Sequence, residues 1–366
     1  MQITTRLHKI NIRFSTQSAQ RSQREREKNV FFSTFSAFSA IKSLCVKSRG
    51  FLIRVIRGKR LMQKFSIVFF TAFILFSSAI ALPYSGFSSL KITPSARECA
   101  MGGTGVISGL GPQAMYYNPS LTSELKSFAV NVNYTKWFLD MYEQSLFIIR
   151  PLPYFNLGLG IVSFNAGDLD FRPDYPTEDP NGYFRPNDFN FFLNISKMTT
   201  QGQYQTGFGI SGRFFYQKIY DYTATGIGAD AGFSLHLSPN FSVGFSIINF
   251  GTSMKFIRED FPLPTKFMTG INYDINLKNI SSAPKAKITS DLGYLFYDKK
   301  LNLNCGLELS FSDKYFLRTG YKFGETINHY NLGFGLIVKN LRIEYAFSPY
   351  DIEIGNTHHF SISLGY

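Results

Sequence analysis

The chain of 366 residues carries a formal net charge of +13 and is rich in aromatic side chains, with 39 Phe and 21 Tyr. Almost all of this charge lies in residues 1–61, which hold fourteen Lys and Arg against Glu25 and Glu27, whereas residues 82–366 hold 23 basic and 23 acidic side chains. The balance excludes a basic surface for nucleic acid on the longer part. Cys45, Cys99 and Cys305 are far apart, which excludes a disulfide framework and a C-x-x-C metal site.

The first 81 residues are interpreted as processing and upstream sequence. Residues 1–61 resemble a transit peptide or a disordered basic arm in composition, but they precede a complete export signal, so we interpret them as mis-assigned sequence upstream of a true start at Met62. Lys64 is followed by seventeen uncharged, mostly apolar residues that end in Ala79-Ile80-Ala81. A transmembrane anchor of this length is marginal. The A-x-A ending therefore predicts a signal peptide over 62–81, cleaved after Ala81.

Residues 82–123 are rich in Gly, Ser and Pro and lack strand alternation, which predicts a compact segment without strands. Gly102, Gly103 and Gly105 permit positive φ and close backbone approach. A phosphate-binding loop is excluded there because no Lys-Ser/Thr pair follows these glycines. Asn118-Pro119 favours the start of a turn.

From residue 124 to the end, short segments alternate between apolar and polar residues, as in Leu301–Phe311, where Leu301, Leu303, Cys305, Leu307, Leu309 and Phe311 share one face. This pattern predicts an all-β, fourteen-stranded antiparallel transmembrane barrel over 124–366. The predicted strands are Lys126–Trp137, Gln144–Arg150, Asn156–Phe164, Asp188–Ser196, Tyr204–Gln217, Gly226–Leu237, Phe241–Phe250, Lys266–Leu277, Lys285–Tyr297, Leu301–Phe311, Tyr315–Phe323, Tyr330–Lys339, Leu341–Ser348 and His358–Tyr366.

Charges on the inward face favour this barrel over a soluble sandwich or a lipocalin-like barrel. A small soluble core would bury each of them at a cost of several kcal/mol, whereas a wet lumen accepts them. Aromatic girdles at the two membrane interfaces account for the abundance of Phe and Tyr. The predicted lumen charges are Lys287, Asp291, Glu308, Arg318, Lys322, Arg342 and Glu344. They could pair with Arg97 or Glu98, or simply be solvated.

The connections predict the orientation of the barrel. If the first strand rises from the periplasm, most even-numbered connections are short turns and the odd-numbered ones hold the long loops. The longest loop, 165–187, is rich in acidic residues, which could indicate a calcium-binding site. The spacing of these residues matches no EF-hand, so a solvated acidic loop is the favoured interpretation. The last strand places Phe360, Ile362, Leu364 and Tyr366 on the lipid face.

The segment from Ser95 to Thr104, followed by Met115 to Ser120, resembles the start of the PorV/PorQ family and its FadL-type relatives, which show G-A-R-x-x-G-M-G-G-A and then Y-W-N-P-A. Leu110 and Gly111 stand where the family has an acidic pair, and Ser120 replaces its Ala. The resemblance implies that residues 82–123 form a hatch inside the barrel and that Phe360, Ile362, Leu364 and Tyr366 form a signal for the outer-membrane assembly machinery. The matching hatch residues are Arg97, Met101, Gly102, Gly103, Tyr116, Asn118 and Pro119.

No catalytic constellation is predicted, because the five histidines are scattered and His358 and His359 point to opposite faces of a strand. No cofactor or metal is expected. The resemblance implies an accessory of type IX secretion that receives secreted cargo proteins and passes them to a surface-attachment complex. The alternative is a FadL-type transporter of long-chain fatty acids or other hydrophobic molecules, with a gap in the wall near Gly158, Gly160, Gly207, Gly209 and Gly212. The alternative explanation of these glycines is that they face inward and make room for the hatch.

Overall fold

The computed structural model describes residues 85–365 except 173–174, 176–177, 277–283, 326 and 351–354. The predicted leader over 1–61, the signal peptide over 62–81 and Tyr366 lie outside the described residues. Within the described part, no helix is long and apolar enough to cross a membrane.

Fourteen antiparallel strands form a closed barrel, which confirms the predicted fold class and strand number. The chain closes because the first strand pairs with the last, from Val130 against Leu364 to Lys136 against His358. Two further hairpins, β4–β5 and β10–β11, stand outside the barrel ladder. The strands are β1 Ala129–Lys136, β2 Tyr142–Pro151, β3 Asn156–Asn165, β4 Leu169–Phe171, β5 Gly182–Phe184, β6 Asn187–Gln201, β7 Tyr204–Ile219, β8 Tyr222–Ser238, β9 Phe241–Gly251, β10 Met254–Phe256, β11 Glu259–Phe261, β12 Lys266–Asn276, β13 Lys285–Leu295, β14 Lys300–Phe311, β15 Tyr315–Phe323, β16 Tyr330–Val338, β17 Leu341–Ser348 and β18 Thr357–Leu364.

The predicted bounds differ most in the first half of the barrel. The sequence predicts a turn over residues 197–203, but β6 extends through 197–201 and pairs with β7 down to Gln201 against Tyr204. Gly202, at φ 62°, makes this tight connection possible. The predicted connection 221–225 likewise shrinks, because Ile219 already pairs with Tyr222. The ladder continues through these polar residues because pairing satisfies their backbone N–H and C=O groups.

The two ends of the barrel differ. Connections such as 152–155, 202–203 and 312–314 lie at one end, here called the turn end. The other end, here called the hairpin end, carries the longer connections 166–186 and 252–265, which contain β4–β5 and β10–β11.

The outer face is apolar and the inner face is polar. On β18, Phe360, Ile362 and Leu364 are about half exposed, at 47%, 48% and 50%, while Ser361 and Ser363 between them are buried. An apolar face that none of the described residues covers suits lipid.

The inner face is covered by residues 85–124, here called the N-terminal segment. It contains a five-residue helix, α1 (Ala96–Ala100), and three short 3-10 helices, Ser88–Lys91, Pro112–Tyr116 and Pro119–Glu124. The segment starts at the hairpin end, where the Gly86 N–H donates to the Pro262 carbonyl at 2.9 Å. It finishes at the turn end, where Asn156 at the start of β3 donates to the Thr122 carbonyl at 2.7 Å. The segment thus runs the length of the lumen.

Candidate functional site

A buried ionic network joins the N-terminal segment to one wall of the barrel. Arg97, on α1, is 1% exposed, and its Nε lies 3.1 Å from Glu308 Oε2 on β14. The same carboxylate oxygen accepts from Arg318 Nε on β15 at 2.6 Å, and Arg318 Nη2 donates to Glu344 Oε1 on β17 at 2.9 Å. Arg342 extends the chain, with 3.8 Å between its Nη1 and Glu344 Oε1. Paired in this way, each buried charge has a counter-charge, which offsets part of its desolvation cost.

Arg97 is also fixed within its own segment. Its Nη1 lies 3.1 Å from Glu98 Oε1 and donates to the Ser108 carbonyl at 2.6 Å. The Ser95 hydroxyl donates to the other oxygen of Glu98. Because the planar guanidinium holds several acceptors at fixed angles, Arg97 sets both the fold of the segment and its position on the wall.

The Gly102–Gly103 turn lies directly against strands β14 and β15. Both glycines have positive φ, 73° and 80°. A Cβ on Gly320 would stand 1.9 Å from the Gly102 nitrogen, and one on Gly306 would stand 2.7 Å from the Met101 carbonyl oxygen. Glycines on the wall and glycines in the segment therefore meet backbone to backbone.

Further along, two polar anchors hold the segment in the middle of the lumen. Asp291 Oδ2 on β13 accepts from the Gly105 and Val106 N–H groups at 2.7 and 3.0 Å. Asn118 caps the last 3-10 helix, its Oδ1 accepting from the Ser120 N–H at 3.0 Å, while its Nδ2 donates to the Val106 carbonyl at 2.6 Å. These contacts account for the Asn-Pro of the motif, because Pro119 supplies the fixed φ of the first helical position.

The opposite wall contacts the segment through apolar side chains as well as through hydrogen bonds. Their cluster, here called the apolar patch, consists of Met115, Tyr116 and Tyr117 of the segment and Phe147, Ile149, Val162 and Phe192 of β2, β3 and β6. Tyr116 is polar only at its tip, where the hydroxyl donates to the Leu90 carbonyl at 2.8 Å. The apolar patch is therefore a local apolar region on an inner face that is otherwise polar, and Asn156 and Asn194 of the same strands hydrogen-bond to the segment.

Besides Asp291, two of the predicted lumen charges, Lys287 and Lys322, stand apart from the network. Lys287 Nζ is 3.6 Å from Asp274 Oδ1 on the neighbouring strand β12, and both side chains are partly exposed. Lys322, on β15, lies beside the segment, its Cε 3.8 Å from where a Cβ of Gly103 would be. The structure thus brings Arg97, Glu308, Arg318, Arg342 and Glu344 together, and leaves Lys287 and Lys322 outside.

Several lumen residues were missed by the sequence reasoning. Arg213 on β7 pairs with Asp230 on β8 at 2.5 Å, and its guanidinium lies 4.2 Å from the centre of the Phe192 ring. Glu143 on β2 and Asp188 on β6 are also buried in the lumen. Their signal was in the sequence, since each is a charged residue on the inward register of a strand, but the alternation is looser in this half.

The five glycines do not mark a gap in the wall. The ladders from β2 through β3, β6 and β7 to β8 are continuous at all of them. Gly158, Gly160, Gly207 and Gly209 face inward and touch the N-terminal segment, closest at Gly209, where a Cβ would stand 2.3 Å from the Pro119 carbonyl carbon. Gly212 is exposed on the outer face. The glycines make room for the segment, and the register shifts lie instead between β8 and β9, around Ala229 and His236.

Two acidic side chains of the loop 165–187 form ion pairs with exposed arginines. Asp168 pairs with Arg185 at 2.7 Å and Asp170 with Arg172 at 2.8 Å, all of them exposed. A hydrogen bond from Arg185 holds the pKa of the Asp168 carboxyl below its ordinary value.

Comparison with known proteins gives a likeness in fold. No protein-family model and no curated protein sequence matches the chain. Among solved structures, the toluene transporter TbuX of Ralstonia pickettii matches with a TM-score of 0.50 at 13% identity, over 75% of this chain and 97% of that one. The toluene transporter TodX of Pseudomonas putida matches with 0.49 at 12% identity, over 78% and 98%. A FadL homologue of Pseudomonas aeruginosa matches with 0.47 at 10% identity, over 74% and 98%.

At these identities the likeness concerns the fold alone, and it rests on TbuX. The chain shares its closed fourteen-stranded barrel fold with TbuX.

Proposed function

We propose that the chain is a non-enzymatic outer-membrane transporter in which the N-terminal segment acts as a hatch and through which a hydrophobic small molecule passes. The proposal includes export by the signal peptide over 62–81 and insertion by the outer-membrane assembly machinery, which would read Phe360, Ile362, Leu364 and Tyr366. Deleting Tyr366 should then lower the amount of assembled barrel. Normal surface levels of the truncated chain would contradict that role.

The observation that carries the proposal is the apolar patch. A channel for polar solutes needs a polar wall, but Phe147, Ile149 and Phe192 present apolar side chains to the lumen. They are covered by Met115 and Tyr116 of the N-terminal segment. A movement of that segment would uncover an apolar surface inside the barrel, which a hydrophobic molecule could occupy.

Strands β2 and β3, which carry part of the apolar patch, also border a depression on the outer face of the barrel. An open depression of about 360 Å³ lies over β1–β3, lined by Val132, Tyr134, Leu146 and Ile161. Because the ladders between these strands are complete, passage from the patch to the depression requires them to part locally. The fold shared with the toluene transporter TbuX supports transport of this kind.

The test is uptake of labelled toluene and labelled oleate by cells that carry or lack the gene. Deletion should lower uptake, and Phe147→Gln should lower it too, because a polar amide would disrupt the apolar patch. The matched control is Phe316→Gln, an inward Phe on β15 whose ring faces Arg318 and Arg342 instead. Unchanged uptake on deletion, or equal losses in both variants at equal barrel levels, would contradict the proposal.

An accessory role in type IX secretion is the second candidate, and it rests on the motif from Ser95 to Ser120. The fold likeness supports transport better than this role. Capture of secreted cargo by the assembled barrel, with type IX components encoded in the same genome, would favour it. Absence of those components from the genome would remove it.

A further inference from the structure

The two ends of the barrel differ in charge as well as in the length of their connections. The described residues of the hairpin-end connections hold ten acidic and five basic side chains. At the turn end, outside the ionic network, the acidic side chains of the described residues are each paired with a basic one: Glu124 with His236, Asp274 with Lys287 and Asp313 with Lys285. Five exposed basic side chains at this end form no ion pair with any described residue: Lys126, Arg150, Lys197, Lys314 and Lys339. The described part of the turn end therefore carries an excess of positive charge.

These five basic side chains lie at the edge of the apolar outer face. Four of them stand within two residues of an exposed apolar or aromatic side chain: Lys126 with Phe128, Lys197 with Ile195, Lys314 with Tyr315 and Lys339 with Val338. The fifth, Arg150, continues the outer register of Leu146 and Ile148 on β2. A long basic side chain at such a boundary lays its aliphatic stem on hydrocarbon and holds its charge at the level of the lipid headgroups. The pattern suits headgroups that carry negative charge.

Two of these cations lie close together, near the junction of the first and last strands. Ala129 of β1 pairs with Ile149 of β2. Lys126 lies three residues before Ala129 and Arg150 directly follows Ile149, so the two cations stand at the same end of neighbouring strands. Like charges on neighbouring strands repel each other. A phosphate between them would relieve this repulsion and would accept charge-assisted hydrogen bonds from both.

An apolar surface lies beside this pair of cations. The Ser127 hydroxyl donates to the Gly365 carbonyl at 2.9 Å, so the chain before β1 also follows the end of β18. Phe128, on the first of these strands, is 59% exposed, and Leu364, on the last, is 50% exposed. The surface thus combines two positive charges with two apolar side chains that the described residues leave uncovered.

This combination identifies the chemistry of the partner. A soluble polyanion would meet the two charges but would leave Phe128 and Leu364 in water, which is unfavourable. A zwitterionic phospholipid brings a phosphate together with an ammonium group, which the two cations repel. An anionic phospholipid supplies the phosphate without that ammonium group, and its acyl chains cover the apolar side chains.

We propose that Lys126, Arg150, Phe128 and Leu364 form a binding site for one anionic phospholipid in the leaflet that the turn end faces. The phosphate accepts hydrogen bonds from the two basic side chains, and an acyl chain packs on the two apolar ones. Arginine matches phosphate with its planar fork, whereas lysine adds a mobile point charge. The other three cations extend the same preference around the rim. The site rests on the membrane placement in the proposed function, but it requires no transport.

The experiment titrates the folded full chain, in a mild neutral detergent at low salt, with phosphatidylglycerol or with phosphatidylcholine of the same acyl chains. Native mass spectrometry counts the lipids bound per barrel. Each cation near an anionic headgroup changes the affinity about fivefold, so the double variant Lys126→Gln with Arg150→Gln should bind phosphatidylglycerol about 25-fold more weakly. Its binding of phosphatidylcholine should be unchanged. The exchanged variant Lys126→Arg with Arg150→Lys keeps both charges and should bind as the parent does.

The matched control removes two exposed cations from the other end of the barrel. Lys136→Gln with Lys218→Gln makes the same change in net charge, on the outer registers of β1 and β7, and should leave the binding of phosphatidylglycerol unchanged. Glycerophosphoglycerol, the same headgroup without acyl chains, should not compete with the lipid. Heat-modifiable migration on gels shows that each variant has folded. If the double variant at the turn end does not fold, either single substitution replaces it, with an expected loss of about fivefold.

Equal affinity of the parent for the two lipids would overturn the proposal. So would an equal loss in the control variant, or competition by the soluble headgroup. None of these results would alter the uptake of a hydrophobic molecule, because transport depends on the apolar patch inside the lumen. Retained uptake without a lipid preference therefore separates failure of this site from failure of the proposed function.

Discussion

The two walls of the lumen hold the N-terminal segment by different forces. The wall of β14, β15 and β17 binds it through Glu308, whose carboxylate joins Arg97 and Arg318 at 3.1 and 2.6 Å. The wall of β2, β3 and β6 packs against it through the apolar patch. Charge-assisted hydrogen bonds depend on direction and are lost when the partner shifts. Apolar packing is non-directional, so the apolar patch constrains the position of the segment less than the ionic network does.

The largest effect should come from removing the shared carboxylate. Glu308→Gln leaves the buried guanidinium groups of Arg97 and Arg318 without their common partner, which should cost about 3–5 kcal/mol. Urea unfolding in detergent measures the loss, and conductance in planar bilayers should rise if the segment leaves its wall. Asp313→Asn removes an exposed carboxylate whose Oδ2 lies 2.7 Å from Lys285 Nζ. This substitution should cost less than about 1 kcal/mol. Equal losses in the two variants would contradict the comparison.

A second prediction compares conservative substitutions on the two walls. Arg97→Lys keeps the charge but loses the fork that reaches Glu308, Glu98 and the Ser108 carbonyl, and should cost on the order of 2 kcal/mol. Met115→Leu keeps the volume of a fully buried side chain in the apolar patch and should cost less than about 1.5 kcal/mol. The same urea titration measures both. A larger loss for Met115→Leu would reverse our ranking of the walls.

The smallest effect should appear at the start of the segment, and it should depend on pH. Lys91 Nζ lies 2.5 Å from Asp298 in the β13–β14 connection. Burial alone would raise the pKa of the Asp298 carboxyl, but hydrogen bonds from Lys91 and Ser85 outweigh burial and hold it below its ordinary value. The contact therefore stabilises the fold above the unfolded pKa of about 3.9 and is lost as the pH falls through the lower folded value.

Hydrogen exchange of residues 85–91 tests this as the pH is lowered. Protection should fall in the acid range in the parent. In Asp298→Asn, the protection of residues 85–91 should already be lower than in the parent at neutral pH. It should then show no further fall in the acid range. An acid step that persists in Asp298→Asn would assign it to another group.

The barrel was predictable because its signal repeats in every strand. Alternation such as that of Leu301–Phe311 identifies both faces, and the fourteen strands follow from counting. The bounds of β6–β8 were less accurate, because polar residues such as Thr199, Thr200 and Gln201 read as a turn although the ladder continues through them.

The residues of the site were predictable from the sequence only where several charged residues lie on neighbouring strands. Glu308, Arg318, Arg342 and Glu344 lie on strands close in sequence, so their clustering was visible. Glu143 and Asp188 are separated by 45 positions and lie on either side of Phe164, which only the pairing of β2, β3 and β6 reveals. The apolar patch was hidden for a related reason: Phe147 and Phe192 face inward, where the sequence pattern predicts polar residues.

The path of the N-terminal segment also constrains the order of assembly. Its contacts join residues far apart in the chain, such as Arg97 with Glu308 and Ala96 with Ser361, whose hydroxyl accepts from the Ala96 N–H at 2.8 Å. Contacts of such high sequence separation form late, because the entropy of closing the long loop is lost before they contribute. The segment precedes the barrel strands in the chain, yet the surface that it contacts is complete only when β18, which carries Ser361, is in place. The last strand to be synthesised therefore completes the binding surface of the first part of the described chain.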